Sequence, residues 1–155
     1  MRIGMGFDIH KLVADRPLML GGVKISHNKG LLGHSDADVL LHALCDAILG
    51  AAGAGDMGNY FPDTDAKWKG AASIRFLEKS VEVASRSKLQ VVNADLTLIA
   101  EEPKIAQYRR EIQETIARAL GIDHRRVNLK AKTMEGLGDI GKGEAIAAYA
   151  VVLLE

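Results

Sequence analysis

Residues Ala145–Leu154 read AIAAYAVVLL, an uninterrupted run with no charge and no Pro or Gly. A membrane span takes roughly 20 apolar residues, so this run is too short to be one. A strand with one wet face alternates apolar and polar residues; a near-continuous apolar run fits a strand buried on both faces. The chain is therefore committed to a sheet. Met1–His10, MRIGMGFDIH, is a second strand, in which Gly4 and Gly6 point to close backbone approach. Its closing Asp8-x-His10 places a carboxylate and an imidazole on one face, because residues two apart on a strand point the same way.

The remaining elements follow from periodicity and breakers. Pro17–Leu20 and Val23–Ser26 flank Gly21-Gly22, a hairpin signal. His27–Asp38 is a long polar connection of the kind that often carries function. Asp38–Ala52 is a helix capped by Asp36 or Asp38, with Val39, Leu40, Ala43, Leu44, Ala47 and Ile48 on a broad apolar face and Gly53 as its stop. Asp56–Gly70 is a loop. Ala71–Lys88 is a helix with Ile74, Leu77, Val81 and Ala84 as its stripe. Leu89–Ala100 is a strand, Lys104–Leu120 a helix stopped by Gly121, and Val127–Lys132 a strand followed by the glycine-rich loop Thr133–Gly143. The expected class is α+β: a mixed sheet with helices packed on one face, a two-layer sandwich in a single domain over residues 1–155.

Composition narrows the function. Twenty basic and 20 acidic residues cancel, so neither a nucleic-acid footprint nor a polybasic membrane patch is present. Any anion must be held by local arrangement. Cys45, the one cysteine, lies in an apolar helix and cannot form an intrachain disulfide. A buried reduced thiol and the lack of a leader pattern at Met1–His10 point to the cytoplasm, with no membrane or nucleic-acid partner.

Three polar clusters sit at element ends. Asp8, His10 and His42 make an Asp/His/His set, which with one open position is the pattern of catalytic zinc. Asp46, one turn from His42, is placed to orient an imidazole. The same residues also fit a turn, a loop histidine and a core histidine bonded to Asp46. Gly33–Asp36 forms a glycine-flanked turn before a helix, an anion-binding concavity or a plain cap. Ala131–Glu135 offers Lys132 and Thr133 for phosphate oxygens and Glu135 for a hard cation, or is a solvated turn.

The segments GFDIH, GHSDADVLLHALCDAILGAAGAGDMGNYFPDTD, EEPKI and LKAKTMEGLGDIGKGEAIAAYAVVLL, in this order and spacing, resemble the 2-C-methyl-D-erythritol 2,4-cyclodiphosphate synthase family of the non-mevalonate isoprenoid (terpenoid) pathway. The resemblance covers essentially the whole chain. It implies a phosphorus–oxygen lyase that cyclises 4-diphosphocytidyl-2-C-methyl-D-erythritol 2-phosphate and releases CMP. It implies Zn²⁺ on Asp8, His10 and His42, and a second divalent ion, Mg²⁺ or Mn²⁺, on Glu135. His34 and Thr133 would stabilise the transition state. Asp8, His10, His34 and Ser35 would meet the phosphate and erythritol part of the substrate. Asp56, Met57 and Gly58 would meet its hydroxyls, and Phe61, Pro62, Asp63, Thr64 and Asp65 would border the same pocket. The cytidine would lie against the segment from Ala100 through Pro103, Lys104 and Ile105 to Ala106. Ala131, Lys132, Thr133, Met134 and Glu135 would face the diphosphate, and Lys142 is a further substrate-binding position. A homotrimer with active sites between subunits is implied as well.

The chain departs from the family at Asp139 and Lys142, where relatives often carry an aromatic and an arginine associated with an isoprenoid diphosphate on the trimer axis. That ligand is not expected here. Two other readings fit the residues: a zinc phosphodiesterase acting on a nucleotide diphosphate, and a non-catalytic module with a structural metal. A structural zinc site is closed by a fourth protein ligand, and none is evident near the triad.

Overall fold

The computed structural model describes residues 1–155. In chain order its elements are β1 (Arg2–Ala14), the hairpin β2 (Leu18–Leu20) and β3 (Val23–Ile25), β4 (Lys29–Leu31), α1 (Val39–Ala52) and the single turn α2 (Met57–Tyr60). Then come α3 (Ile74–Arg86), β5 (Val91–Ile99), α4 (Arg109–Leu120), β6 (Val127–Lys132), the single turn α5 (Gly138–Gly141) and β7 (Ala145–Leu154). Five strands form one mixed sheet in the order β4-β1-β7-β5-β6, and β2-β3 stands apart as a two-stranded ribbon. All neighbours in the large sheet are antiparallel except β5 and β6. The α+β class and the mixed sheet agree with the sequence reading.

Helix α1 is the centre of the core. It is capped by the Asp38 carboxylate, which accepts the Leu41 N–H at 3.2 Å, and ends on Gly53 in the left-handed region at φ 70. Apolar residues cover most of its circumference, including Leu41, Cys45, Leu49 and Ala51 outside the expected stripe, and all of these are buried. Only the stripe His42, Asp46 and Gly50 is left incompletely covered, and an otherwise apolar helix must be covered on its remaining sides. Here β1 and β7 lie beneath it and α3 beside it. Burial raises the Asp38 carboxyl above its ordinary range, opposed by N–H groups of Gly22, Gly21 and Leu41. The Gly21 and Gly22 bonds, 2.8 and 2.7 Å long, tie the hairpin to the helix start.

The two glycines of β1 set the distance between sheet and helix. A Cβ on Gly4 would lie 1.9 Å from the Ala47 carbonyl oxygen, and one on Gly6 would lie 1.9 Å from that of Ala43. No side chain fits there, so α1 rests on bare backbone. Gly4, Gly6, Asp8, His10 and Leu12 face inward while Ile3, Met5, Phe7 and Ile9 face out and are exposed. The usual alternation is inverted: the apolar residues point away from the core.

Several expectations change. β7 is not buried on both faces, because Tyr149 and Val151 are exposed on the side away from the helices. The buried face of α3 is rotated: Phe76, Leu77, Ser80, Val83 and Ala84 are buried, and Ile74 and Val81 only partly. Ser80 is tolerated inside because its hydroxyl donates to the Phe76 carbonyl at 2.9 Å. The connection His27–Asp38 contains β4, and the loop Asp56–Gly70 contains α2 and a 3-10 turn at Ala66–Trp68.

Candidate metal centre and pocket

The close approach of α1 to β1 brings His42 over the end of the first strand. His10 Nε2 lies 2.9 Å from Asp8 Oδ2, His42 Nδ1 lies 3.0 Å from the same oxygen, and the two ring nitrogens are 3.1 Å apart. Asp8, His10 and His42 are the one cluster of three such side chains whose ligand atoms lie within 4.8 Å of one another.

The outer hydrogen bonds fix both rings. His10 Nδ1 donates to the Leu32 carbonyl at 2.9 Å, so Nε2 is the atom with the free lone pair. His42 Nε2 lies 2.9 Å from Ser73 Oγ and 3.2 Å from Ser35 Oγ. Ser73 spends its own proton on Asp36, so His42 Nε2 donates and its Nδ1 faces the centre as an acceptor. Three acceptors thus converge with no donor among them, an arrangement that needs a cation. A tetrahedral zinc ion with ligands at roughly 2.0–2.1 Å would space them about 3.3 Å apart, close to the spacing seen. The residues fit the ion.

Electrostatics agree. Burial would raise the Asp8 carboxyl, yet the bonds to His10 and His42 hold it well below the usual carboxylate range. Burial would lower the His10 imidazole, but Asp8 outweighs it and raises His10 above its ordinary value.

Asp46 does not orient His42. Its carboxylate accepts the Met57 N–H at 2.8 Å and so pins the start of α2. Burial raises its carboxyl, with the Met57 bond opposing. The partner that orients His42 is Ser73, backed by Asp36, a link the sequence did not reveal. The sequence places Ser73 inside a helix starting at Ala71; it instead precedes α3 and caps nothing, because its hydroxyl is taken by Asp36. In the turn Gly33–Asp36 one backbone donor is already engaged, and the Ser35 hydroxyl is held by its neighbours. The Asp36 N–H goes to the Ala71 carbonyl and the Ala37 N–H to Ser35 Oγ.

A cavity of about 250 Å³ opens beside the cluster, lined by His10, His34, Ser35, His42, Met57, Phe61, Asp63, Trp68 and Phe76. Phe61 stacks on Phe76 with centroids 4.6 Å apart, and Trp68 stands edge-on to both. Trp68 and Phe76 were missed by the site reading of the sequence. His34 Nε2 is buried without a partner, a polar atom available to a ligand. Asp56 caps α2 through the Asn59 N–H, and Asp65 pairs with Lys67 at 2.8 Å. Gly58, Pro62 and Thr64 lie in the same segment but do not line the cavity.

A second groove of about 200 Å³ runs between Ala100, Pro103, Lys104, Ile105 and Ala106 on one side and Ala131, Lys132 and Thr133 on the other, with Arg109 at its rim. Met134 and Glu135 follow directly; Thr133 Oγ1 donates to the exposed Glu135 carboxylate at 2.9 Å. Lys142 lies in neither site. It lines a separate polar cavity of about 540 Å³ with Lys29, Glu101 and Glu102, which Lys104 also borders. The sheet register aligns Ile9, Ala147, Ile99 and Lys132 across four strands. At about 4.8 Å per strand step, the Asp/His/His cluster on β1 lies two steps from the β5 wall of the groove and three from the β6 wall, roughly 10–14 Å within one chain.

The YgbB family model matches residues 1–155. The chain belongs to the YgbB family. It is 56% identical to the 2-C-methyl-D-erythritol 2,4-cyclodiphosphate synthase of Desulfatibacillum aliphaticivorans over 155 residues, the full length of both chains. It superposes on a solved 2C-methyl-D-erythritol-2,4-cyclodiphosphate synthase in its CDP-bound form with a TM-score of 0.92 at 39% identity, covering 99% of this chain and 100% of that one. The bifunctional IspDF of Campylobacter jejuni gives a TM-score of 0.95 at 43% identity; there the match covers 99% of this chain but spans only 42% of that one.

Proposed function

We propose that this protein is a metal-dependent cyclodiphosphate synthase of isoprenoid precursor biosynthesis. It converts 4-diphosphocytidyl-2-C-methyl-D-erythritol 2-phosphate to 2-C-methyl-D-erythritol 2,4-cyclodiphosphate and CMP. The observation that carries the reading is the convergence of three acceptor atoms beside a cavity, in a chain matched end to end by such synthases.

The substrate supplies its own nucleophile. A 2-phosphate oxygen forms a bond to the β-phosphorus, the bond from that phosphorus to the bridging oxygen breaks, and CMP leaves with the electron pair. The protein's task is to hold two anions against their repulsion and in line. Asp8, His10 and His42 would hold Zn²⁺, which supplies charge neutralisation and polarises a phosphate oxygen. The open position at the cavity side suits a substrate oxygen. His34 Nε2, buried and unpartnered, hydrogen-bonds the reacting phosphate from the cavity wall. The apolar wall of Met57, Phe61, Trp68 and Phe76 excludes water, which would otherwise divert the reaction to hydrolysis. Across the groove, Lys104, Lys132 and Thr133 face the diphosphate, and Ala100–Ala106 takes the cytidine. The exposed Glu135 carboxylate would hold Mg²⁺ or Mn²⁺ together with substrate phosphates, since such ions are commonly bound by one or two carboxylates plus phosphate oxygens.

We place the active sites between subunits of a homotrimer in the cytoplasm. The exposed apolar face of β1 and the roughly 10–14 Å between the two half-sites support this. No helix is long and apolar enough to cross a membrane.

Incubation with the cytidyl substrate, with and without chelator, followed by phosphorus NMR tests the reading. CMP and a cyclic diphosphate are expected only with metal present. A linear phosphate carrying a water oxygen would replace cyclisation by phosphodiester hydrolysis. His42→Ala is expected to lose bound zinc and cyclisation together. Unchanged zinc content in that variant would remove His42 from the ligand set.

A further inference from the structure

Glu101 stands between the two segments that wall the groove. It follows β5, at the head of the stretch that would take the cytidine, and its side chain is half-buried. Its Oε1 accepts the Met134 N–H at 2.7 Å and the Gly136 N–H at 3.3 Å. Those two amides flank Glu135, whose φ of 51 is a left-handed conformation that a residue with a side chain rarely adopts unaided. The β5–β6 pairing ends at the bond from Ala100 N–H to the Lys132 carbonyl. Beyond it, Glu101 supplies the hydrogen bonds that tie Thr133–Gly136 to the facing segment.

We propose that Glu101 is a positioning residue that locks the Thr133–Gly136 loop onto the Ala100–Ala106 segment, so that both walls of the groove meet a nucleoside diphosphate in one fixed geometry. The inference rests on the synthase reading for the identity of the ligand. A carboxylate accepting two backbone N–H groups forms charge-assisted bonds, stronger than neutral ones. Removing the acceptor leaves both amides and the Glu135 backbone free to relax, and the groove loses one wall's alignment. A glutamine keeps an acceptor oxygen at the same reach.

The test compares Glu101→Met, Glu101→Ala and Glu101→Gln. CDP is titrated by calorimetry, cyclisation is followed for KM and kcat, and amide hydrogen exchange is read over residues 133–137. Met and Ala variants are expected to bind CDP about tenfold more weakly, in line with losing a charge-assisted bond, to raise KM, and to exchange faster over 133–137 at an unchanged melting temperature. The Gln variant is expected within about threefold of wild type, since its bond is weaker but present. CDP affinity and exchange in the Met and Ala variants equal to wild type would overturn the role. A loss in the Gln variant as large as in the Met variant would also overturn it, because charge and not the acceptor would then matter. If wild type itself bound no CDP, the synthase reading would fail, and unchanged exchange over 133–137 in the Met variant would refute the lock by itself.

Discussion

At the scale of the residue, the centre is held together by what lies behind the ligands. Leu32 O fixes the His10 tautomer, and Ser73 fixes that of His42. Partners of this kind set ligand basicity and ring orientation, and their loss costs about 10–100-fold in metal affinity. Ser73→Ala should weaken zinc binding by that order in a competition titration with a chromophoric chelator; an unchanged affinity would show that Ser35 suffices. In the metal-free protein only protons can relieve the three facing acceptors. His10 is raised above its ordinary value, so its contribution to stability is fully present below about pH 6.5 and is lost as pH rises through the higher folded value. Metal-free protein should therefore melt at lower temperature as pH climbs from 6 toward 9, and zinc should abolish the decline. A flat profile without metal would refute the Asp8–His10 coupling. The Asp-x-His spacing on a strand made two of these ligands legible in the sequence. Ser73 was not legible: its role depends on tertiary contacts with residues more than thirty positions away.

Among elements, the decisive contact is α1 on β1. The helix can reach the strand because Gly4 and Gly6 present no side chain, and only at that distance does His42 meet Asp8 and His10. Gly6→Ala puts a methyl against the Ala43 backbone, which cannot move as a flexible side chain would. Overpacking of a core typically costs about 1–3 kcal/mol, and a backbone clash belongs at the upper end. Denaturant melts should show that loss, together with lower zinc content, since the helix must lift away from the metal strand. Full zinc occupancy in a destabilised Gly6→Ala would separate the two effects. Local sequence pattern made the bounds of β6 and β7 legible to the residue, and those of α1 nearly so. What escaped was set by tertiary context. β4 is only Lys29–Leu31 and exists through pairing with Leu12–Ala14. The register of α3 turned because Ser80 bonds its own helix and could be buried, which a hydrophobic stripe does not anticipate.

For the whole molecule, the question is what lies on the outer face of the sheet. Ile3 and Met5 are 72% and 64% exposed, and Phe7, Ile9, Tyr149 and Val151 extend the patch. Phe7 and Tyr149 touch with centroids 4.7 Å apart, so the surface is already packed along itself. On the proposed trimer, the inverted alternation of β1 and the exposed Tyr149 and Val151 of β7 would be covered by neighbouring copies. Met5→Lys combined with Phe7→Lys should shift the mass in light scattering from three times the 16.7 kDa chain to one chain, with zinc still bound. Whether the active sites also lie between copies is decided by mixing two disabled chains. His42→Ala removes the metal half and leaves the groove; Ala106→Trp fills the groove and leaves the metal half. If each site draws its two halves from neighbouring chains, random co-assembly restores about a quarter of the sites in a closed ring. If each chain holds a complete site, every site in the mixture carries one defect and no activity returns. Restored activity that survives dilution, and that disappears when the Met5→Lys and Phe7→Lys changes are added to both chains, would tie catalysis to the apolar face of β1.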